Sequence, residues 1–472
     1  MIGHTDPEGK IDWSNVVARQ TGRIHIARNS TELREILPRV NPGDVVYLKN
    51  GVYNYSVDVL TSGKNDAPIV ITRHPDNNDV MLTGDWRIKA SHLIIGGFRG
   101  EWETNTWPGH FIFEGGSDNR LTDCDFGLGK YGEHLISIWK GSHRNLIDHC
   151  QLTGPGNRLV RVIVQWGGTL TGRGGTYDEN PSDPTNPIGA RPPTGNRVIA
   201  NTLKGAKYIG KQKAGIACGQ YIMHRWLNTE FEVKKNLFVG FDQIGLEFKT
   251  SKNSCLQNRF ENFGSHKCAL FRSGKNNLFQ ENVLKNIDQG IQVADRENII
   301  RQNQFTTVTG DFAISMVHGE DLENRIPHNQ FPWATKNRFI ENRIMDVYRY
   351  GIEIGRSQVD DTGTSMSMPP MDNLFRKTFI RSDMGRAAVR QRAGQNRFEE
   401  TIIEGEIPSG KLWDAGWNDA EEKKTESPRS EEKQKQESIR FLNAQVNDEF
   451  IIVDAEINGK RFKMKFSLEE NE

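Results

Sequence analysis

One pattern recurs down most of this chain: an Asn, four residues, a second small polar residue, a spacer, then a large apolar residue. It reads Asn196-Arg-Val-Ile-Ala-Asn201-Thr-Leu203, Asn253-Ser-Cys-Leu-Gln-Asn258-Arg-Phe260, Asn277-Leu-Phe-Gln-Glu-Asn282-Val-Leu284, Asn298-Ile-Ile-Arg-Gln-Asn303-Gln-Phe305 and Asn337-Arg-Phe-Ile-Glu-Asn342-Arg-Ile344. Looser copies end at Phe126, Leu152, Phe238, Ile380 and Ile403. The basic period is a little over twenty residues, as between Phe238, Phe260, Leu284 and Phe305, and insertions lengthen several turns. A repeat of this length is one supersecondary unit that cannot bury its apolar face alone, so the chain must be a solenoid. Its β-branched and aromatic residues, frequent Gly and lack of helical periodicity predict an all-β, right-handed parallel β-helix of short strands stacked coil on coil. Asn tolerates the left-handed backbone of a tight bend, and its amide reaches backbone groups of neighbouring coils. Its recurrence therefore predicts a ladder of bends.

A solenoid grows in one dimension, so 472 residues fit one core. Lys and Arg number 61 and so do Asp and Glu, which leaves no global field towards nucleic acid. No apolar run is long enough to span a bilayer, and no membrane partner is expected. Residues 1–20 lack the apolar core of a secretion signal. The expectation is a secreted or periplasmic protein whose leader lies outside this sequence. The five cysteines form no CxxC pair and no metal spacing. Cys124 and Cys150 occupy the same slot of successive repeats; a disulfide is open to them, but buried free thiols are expected.

Residues 1–44 read as an N-terminal segment and cap. Asn29-Ser-Thr-Glu32 before Leu33, Ile36 and Leu37 fits a capping box opening a short helix, which Pro38 and Pro42 limit. The β-helix then covers 45–405, with long loops expected at 167–194, 318–335 and 357–371. Residues 406–440 are a charged linker, too poor in apolar residues to pack. Residues 441–472 contain alternating runs on both sides of Asn458-Gly459, a strong hairpin signal, and read as a small C-terminal β-hairpin extension. Oligomeric state is not legible.

Alternate strand residues point to opposite faces. In Gln243-Ile-Gly-Leu-Glu-Phe-Lys249, the apolar Ile244, Leu246 and Phe248 go in, leaving Glu247 and Lys249 outside. Arg272 follows Phe271 outward, and Gln292 lies between the inward Ile291 and Val293. Lys249 and Arg272 are 23 residues apart, one coil, which predicts adjacent rungs roughly 5 Å apart. Neighbouring cations disfavour each other's charge, and the amine is the group that can respond. A neutral Lys is a general base, while Arg stays charged and screens an anion. That pair suits β-elimination from a uronic acid. The same residues also fit an ordinary solvated cation ladder with Glu247 as counter-ion. Arg161, Arg356 and Arg390 read as surface cations that would line such a groove, Glu353 as a sugar-binding group or their partner, and Trp139 and Trp166 as stacking platforms or core caps.

Asn236-Leu-Phe, Glu247-Phe-Lys249-Thr-Ser-Lys-Asn253, Asn258-Arg-Phe260 and Phe271-Arg272-Ser-Gly274 together resemble the core signature of polysaccharide lyase family 6, which contains chondroitinase B and many alginate lyases. The N-terminal PGDVVYLKNGVY, Ala67-Pro-Ile-Val-Ile-Thr72 and Asn145-Leu-Ile-Asp-His-Cys150 are similar in the same order, so the resemblance covers about residues 24 to 405. It implies a lyase with Lys249 as base and Arg272 as the second catalytic group; a slip of register would select Lys252 instead. Calcium-dependent members carry acids five and seven residues before the Lys and an Asn on the preceding coil, which correspond here to Ile244, Asp242 and a position near Lys211. Ile244 offers no ligand and Lys211 repels a cation, so calcium, although possible in the family, is not expected and no cofactor or metal site is assigned. Lys211 or its neighbours would take over charge neutralisation. The proton donor stays open among His266, Tyr350 and water. The expected substrate-binding set is Lys211, Glu247, Lys252, His266, Gln292, Tyr350, Glu353 and Arg356, and the expected partner is an acidic polysaccharide, alginate ahead of dermatan-type glycosaminoglycan. Two other classes compete. A β-helical glycosidase needs two opposed carboxylates, and only Asp242 and Glu247 lie near Lys249 in sequence. A glycan-binding β-helix without activity needs only the fold.

Overall fold

A computed structural model describes residues 9–76, 79–104, 106, 108–154, 158–163, 192–205, 214–219, 227–317, 319, 333–356, 368–381, 387–391, 396–404, 439–446, 450–457 and 460–467. The chain forms two compact units, Met1–Arg259 and Phe260–Glu472. In the first unit the strands are three to six residues long and pair in parallel with the strand one coil away, as the period requires, whereas the second unit also holds longer strands, Val283–Val293 and Gln304–Val317 among them. The fold is a right-handed parallel β-helix.

In the first unit the strands form three parallel ladders. One begins with Ile24–Ala27 on Val45–Leu48 and runs through Ile69–Arg73 and Leu93–Gly96. A second carries Arg99–Trp102, Asp125–Leu128, Gln151–Thr153, Thr202–Lys204 and Leu237–Val239. The third stacks Phe111–Glu114, His134–Trp139, Arg158–Val162, Ala214–Cys218 and Ile244–Phe248. Along this third ladder Ile136, Val160, Ile216 and Leu246 are in register and fully buried. Each contributes about 1.5–3 kcal/mol by burial, but only because the next coil covers it.

The N-terminal cap forms as the sequence predicts. The helix Ser30–Ile36 starts at Asn29, whose side chain accepts from the Glu32 N–H at 3.0 Å. Glu32 reaches back one residue further than a standard capping box, accepting from the Arg28 N–H at 2.8 Å. A second helix, Trp13–Ala18, opens at Asp12 and was not evident in the sequence, because six residues carry too little periodicity. Parallel stacking also begins before residue 45, at Ile24.

The Asn residues do build ladders, but not by taking up the bend. The residue immediately before each Asn is the left-handed one: Ala200, Lys235, Gln257, Glu281, Gln302 and Glu341 all have φ between 54° and 57°. The Asn that follows spends its amide on the neighbouring coil. The Asn201 N–H donates to Asn236 Oδ1 at 2.9 Å, and the Asn236 N–H to Asn258 Oδ1 at 2.9 Å. Asn236 Nδ2 also donates to the Val198 carbonyl at 2.8 Å. The first Asn of the motif repeats this in the second unit, from Asn277 through Asn298 and Asn337 to Asn373.

In the second unit, Val283–Val293, Gln304–Val317, Tyr350–Arg356 and Ala387–Gln391 stack in parallel. Phe339, Phe375 and Phe398 stack ring on ring at 4.5 and 4.6 Å. The expected hairpin is present as Phe450–Ile457 and Lys460–Ser467. It is not alone: Ile439–Val446, starting inside the stretch read as linker, pairs antiparallel with the hairpin and with the last coil strands Arg397–Glu399 and Ile402–Glu404. All five cysteines are buried and free.

Candidate active site

The chemistry-bearing side chains of the first unit gather on the third ladder. Its register places Ser137, Arg161, Ala217 and Glu247 side by side on successive coils, in the row that alternates with the buried core row. Lys249 lies just past the end of Ile244–Phe248, where its N–H still donates to the Cys218 carbonyl at 2.9 Å. The coil before it carries Gly219 opposite, at φ +91°, where a Cβ would stand 3.0 Å from the Cβ of Lys249. Only glycine fits that close approach at that φ.

Lys249 and Glu247 are paired, with Nζ 3.1 Å from Oε2, and are 7% and 3% exposed. Glu247 is the counter-ion that the cation-ladder reading expects, but the pair is buried rather than solvated. Arg158 and Arg161, also on this ladder, are buried too. Arg161 is not the surface cation that the sequence suggests: it is buried, and its guanidinium donates from Nη1 to His134 Nε2 at 3.0 Å. An imidazole nitrogen that accepts is unprotonated. Burial, then the charges of Arg161 and Arg158, push His134 down to about 2. Burial also lowers Arg158, and the carboxylate of Glu247 opposes that shift. The result is a buried cluster of an amine, a carboxyl, guanidinium groups and a neutral imidazole.

In the second unit the register aligns Gln292, Ser315, Glu353 and Arg390, each at most 4% exposed. Arg390, also read as a surface cation, donates from Nη1 to Tyr350 Oη at 2.6 Å and lies 4.9 Å from that ring's centroid. Tyr350 is itself buried. Arg272 is half-buried, His266 is exposed, and Lys252 is exposed at the left-handed position before Asn253. Arg356 ends its strand. Trp139 is half-buried under the Lys140 ammonium, 4.4 Å from its centroid. Lys211, Trp166 and most of the three expected loops lie outside the described residues. His134, Arg158 and Ser315 escaped the sequence reading. His134 and Arg158 lie one coil apart, but the insertion after Val162 breaks the count that would tie them to Lys249.

Of the positions that the resemblance makes calcium ligands, Ile244 pairs in the strand with Ala214 and brings no oxygen donor, Asp242 keeps a carboxylate, and the position near Lys211 lies outside the described residues. Among the described residues no three His, Cys, Asp or Glu side chains are grouped to share a metal.

The class that the fold defines is the right-handed parallel β-helix. The chain matches the Chondroitinase B family model over residues 27–386, belongs to that family, and is thereby a polysaccharide lyase, a carbon–oxygen lyase. Solved structures agree in fold. A mannuronic acid specific polysaccharide family 6 lyase from human gut microbiota shares 16% identity at TM-score 0.62, covering 78% of this chain and 82% of that one. The family 6 alginate lyase AlyGC shares 17% at TM-score 0.65, covering 83% of this chain but 53% of its own. A family 6 polysaccharide lyase from Pseudopedobacter saltans shares 16% at TM-score 0.57, with 76% and 84% covered. Comparison with curated proteins gave no match. Among the described residues no helix is long and apolar enough to cross a membrane.

Proposed function

We propose that this lyase cleaves a uronate polymer, alginate ahead of dermatan-type glycosaminoglycan, by β-elimination without calcium. The observation that carries this reading is the buried Lys249–Glu247 pair, held 3.1 Å apart at the end of a strand in a polysaccharide lyase fold. Lys249 in its neutral form takes the proton from the carbon beside the uronate carboxylate. The electron pair of that C–H bond becomes the new C=C bond, and the glycosidic C–O bond breaks with its electrons leaving on oxygen, which takes a proton from water. Glu247 stabilises the ammonium that Lys249 becomes, since a charge-assisted pair is strongest when desolvated. The second role, screening the substrate carboxylate, falls to Arg272 on the resemblance of its motif. Alginate is favoured because two of the similar structures are described as an alginate lyase and a mannuronic acid specific lyase.

Ultraviolet absorbance of unsaturated uronate products, followed over alginate blocks and glycosaminoglycans with and without chelator, tests this for the wild type and Lys249→Ala. Chelator-resistant cleavage of alginate that the substitution abolishes is the expected result. Cleavage undiminished in Lys249→Ala removes Lys249 as base, and loss on chelation removes calcium independence.

A further inference from the structure

Behind Lys249 lies a closed chain of buried hydrogen bonds whose direction the geometry determines. The Phe231 N–H donates to Asn253 Oδ1 at 3.0 Å, which fixes the orientation of that amide. Thr229 Oγ1 lies 2.6 Å from the same Oδ1, so the Thr229 hydroxyl hydrogen is committed there. Thr250 Oγ1 is 2.6 Å from Thr229 Oγ1, and with the Thr229 hydrogen already used, Thr250 must be the donor. Thr250 Oγ1 in turn accepts from Asn253 Nδ2 at 2.9 Å, and Asn253 Nδ2 also holds the Thr250 carbonyl at 2.9 Å. Cys218 Sγ, 3.2 Å away, contributes a thiol that burial pushes up to about 11 and so keeps protonated. Thr229, Thr250 and Cys218 are fully buried and Asn253 is 1% exposed.

We infer that Thr250, through Thr229 and Asn253, is a positioning residue for Lys249, an inference that rests on Lys249 being the base. The peptide on one side of Lys249 is pinned by its N–H to the Cys218 carbonyl, and the one after Thr250 is pinned by Asn253. The Thr250 hydroxyl ties the residue between them to the neighbouring coil. With these groups fixed, the direction in which Lys249 leaves the backbone is fixed, opposite the gap that Gly219 leaves. A core that only needed filling would be served by Val at 250, which has the same shape.

The test is steady-state turnover of whichever uronate polymer the wild type cleaves fastest, at a temperature where circular dichroism shows every variant folded. Thr250→Val is expected to lower kcat about 10- to 100-fold with KM little changed, since misplacing a reacting group costs rate rather than binding. Thr250→Ser, which keeps the hydroxyl, is expected to restore most of the loss. Thr229→Val leaves residue 250 intact and reads the same chain if Thr250→Val does not fold; it too should lower kcat. Unchanged kcat in the folded valine variants, with Lys249→Ala inactive, overturns the positioning role and leaves the base in place. Full activity in Lys249→Ala overturns the base assignment itself.

Discussion

His134 shows how strongly one coil dictates the chemistry of a side chain on the next. Its Nε2 accepts from Arg161 in a desolvated setting, so it stays neutral down to about pH 2, against an ordinary value near 6.5. Between those two values the unfolded chain binds a proton that the folded chain refuses. Stability from this group is therefore complete above the window and is lost as pH falls through it. The slope is at most about 1.4 kcal/mol per pH unit for one proton. His134→Gln keeps an acceptor for Arg161 but does not titrate. Urea unfolding at pH 7 and pH 5 should show the wild type losing about 1–2 kcal/mol more than the variant on acidification. Equal losses would mean that His134 takes up its proton in the folded state.

At the scale of the element, the Asn motif made the solenoid and its period legible, because ladder formation needs the same residue in the same slot of every coil. Which residue bends was not legible: Lys235, Gln257 and Glu281 adopt the left-handed backbone despite carrying a Cβ, since the amide of the following Asn locks the turn. Asn236 is the sharpest test. It accepts from the Asn201 N–H and Nδ2 and donates to the Val198 carbonyl, all buried. Asn236→Ala strands a buried N–H and a buried C=O, and should cost about 3 kcal/mol or more in chemical denaturation. A loss below about 1 kcal/mol would show that the ladder adds little beyond the stacked strands. The candidate site was legible to the same depth. Alternation separated Glu247 from the core row of Leu246 and Phe248, yet it placed Glu247 and Lys249 outside, and both are buried. Burial there depends on what lies over the strands, and the long insertion after Val162 hides the coil that brings Arg158 and Arg161 onto the ladder.

At the scale of the whole molecule, a solenoid's weakness is its ends, where a coil would expose unpaired strand edges to other chains. The start is met by the helix Ser30–Ile36, read from its cap. In the second unit the edge of the last coil is met by Ile439–Val446, which pairs with both Arg397–Glu399 and Ile402–Glu404 and recruits the hairpin Phe450–Ile457 and Lys460–Ser467 behind it. A lone hairpin is marginal in water, but one joined to an existing edge gains a third strand and a template. The effect of Ile439–Val446 here is to pair the edge of the last coil. Ending the chain at residue 438 removes these strands without touching Lys249 or Thr250. The shortened chain should retain turnover per folded molecule while self-associating, seen as high-mass species by light scattering on size-exclusion chromatography and as a lower Tm. A shortened chain that stays monodisperse at an unchanged Tm would show that the last coil does not need the added strands.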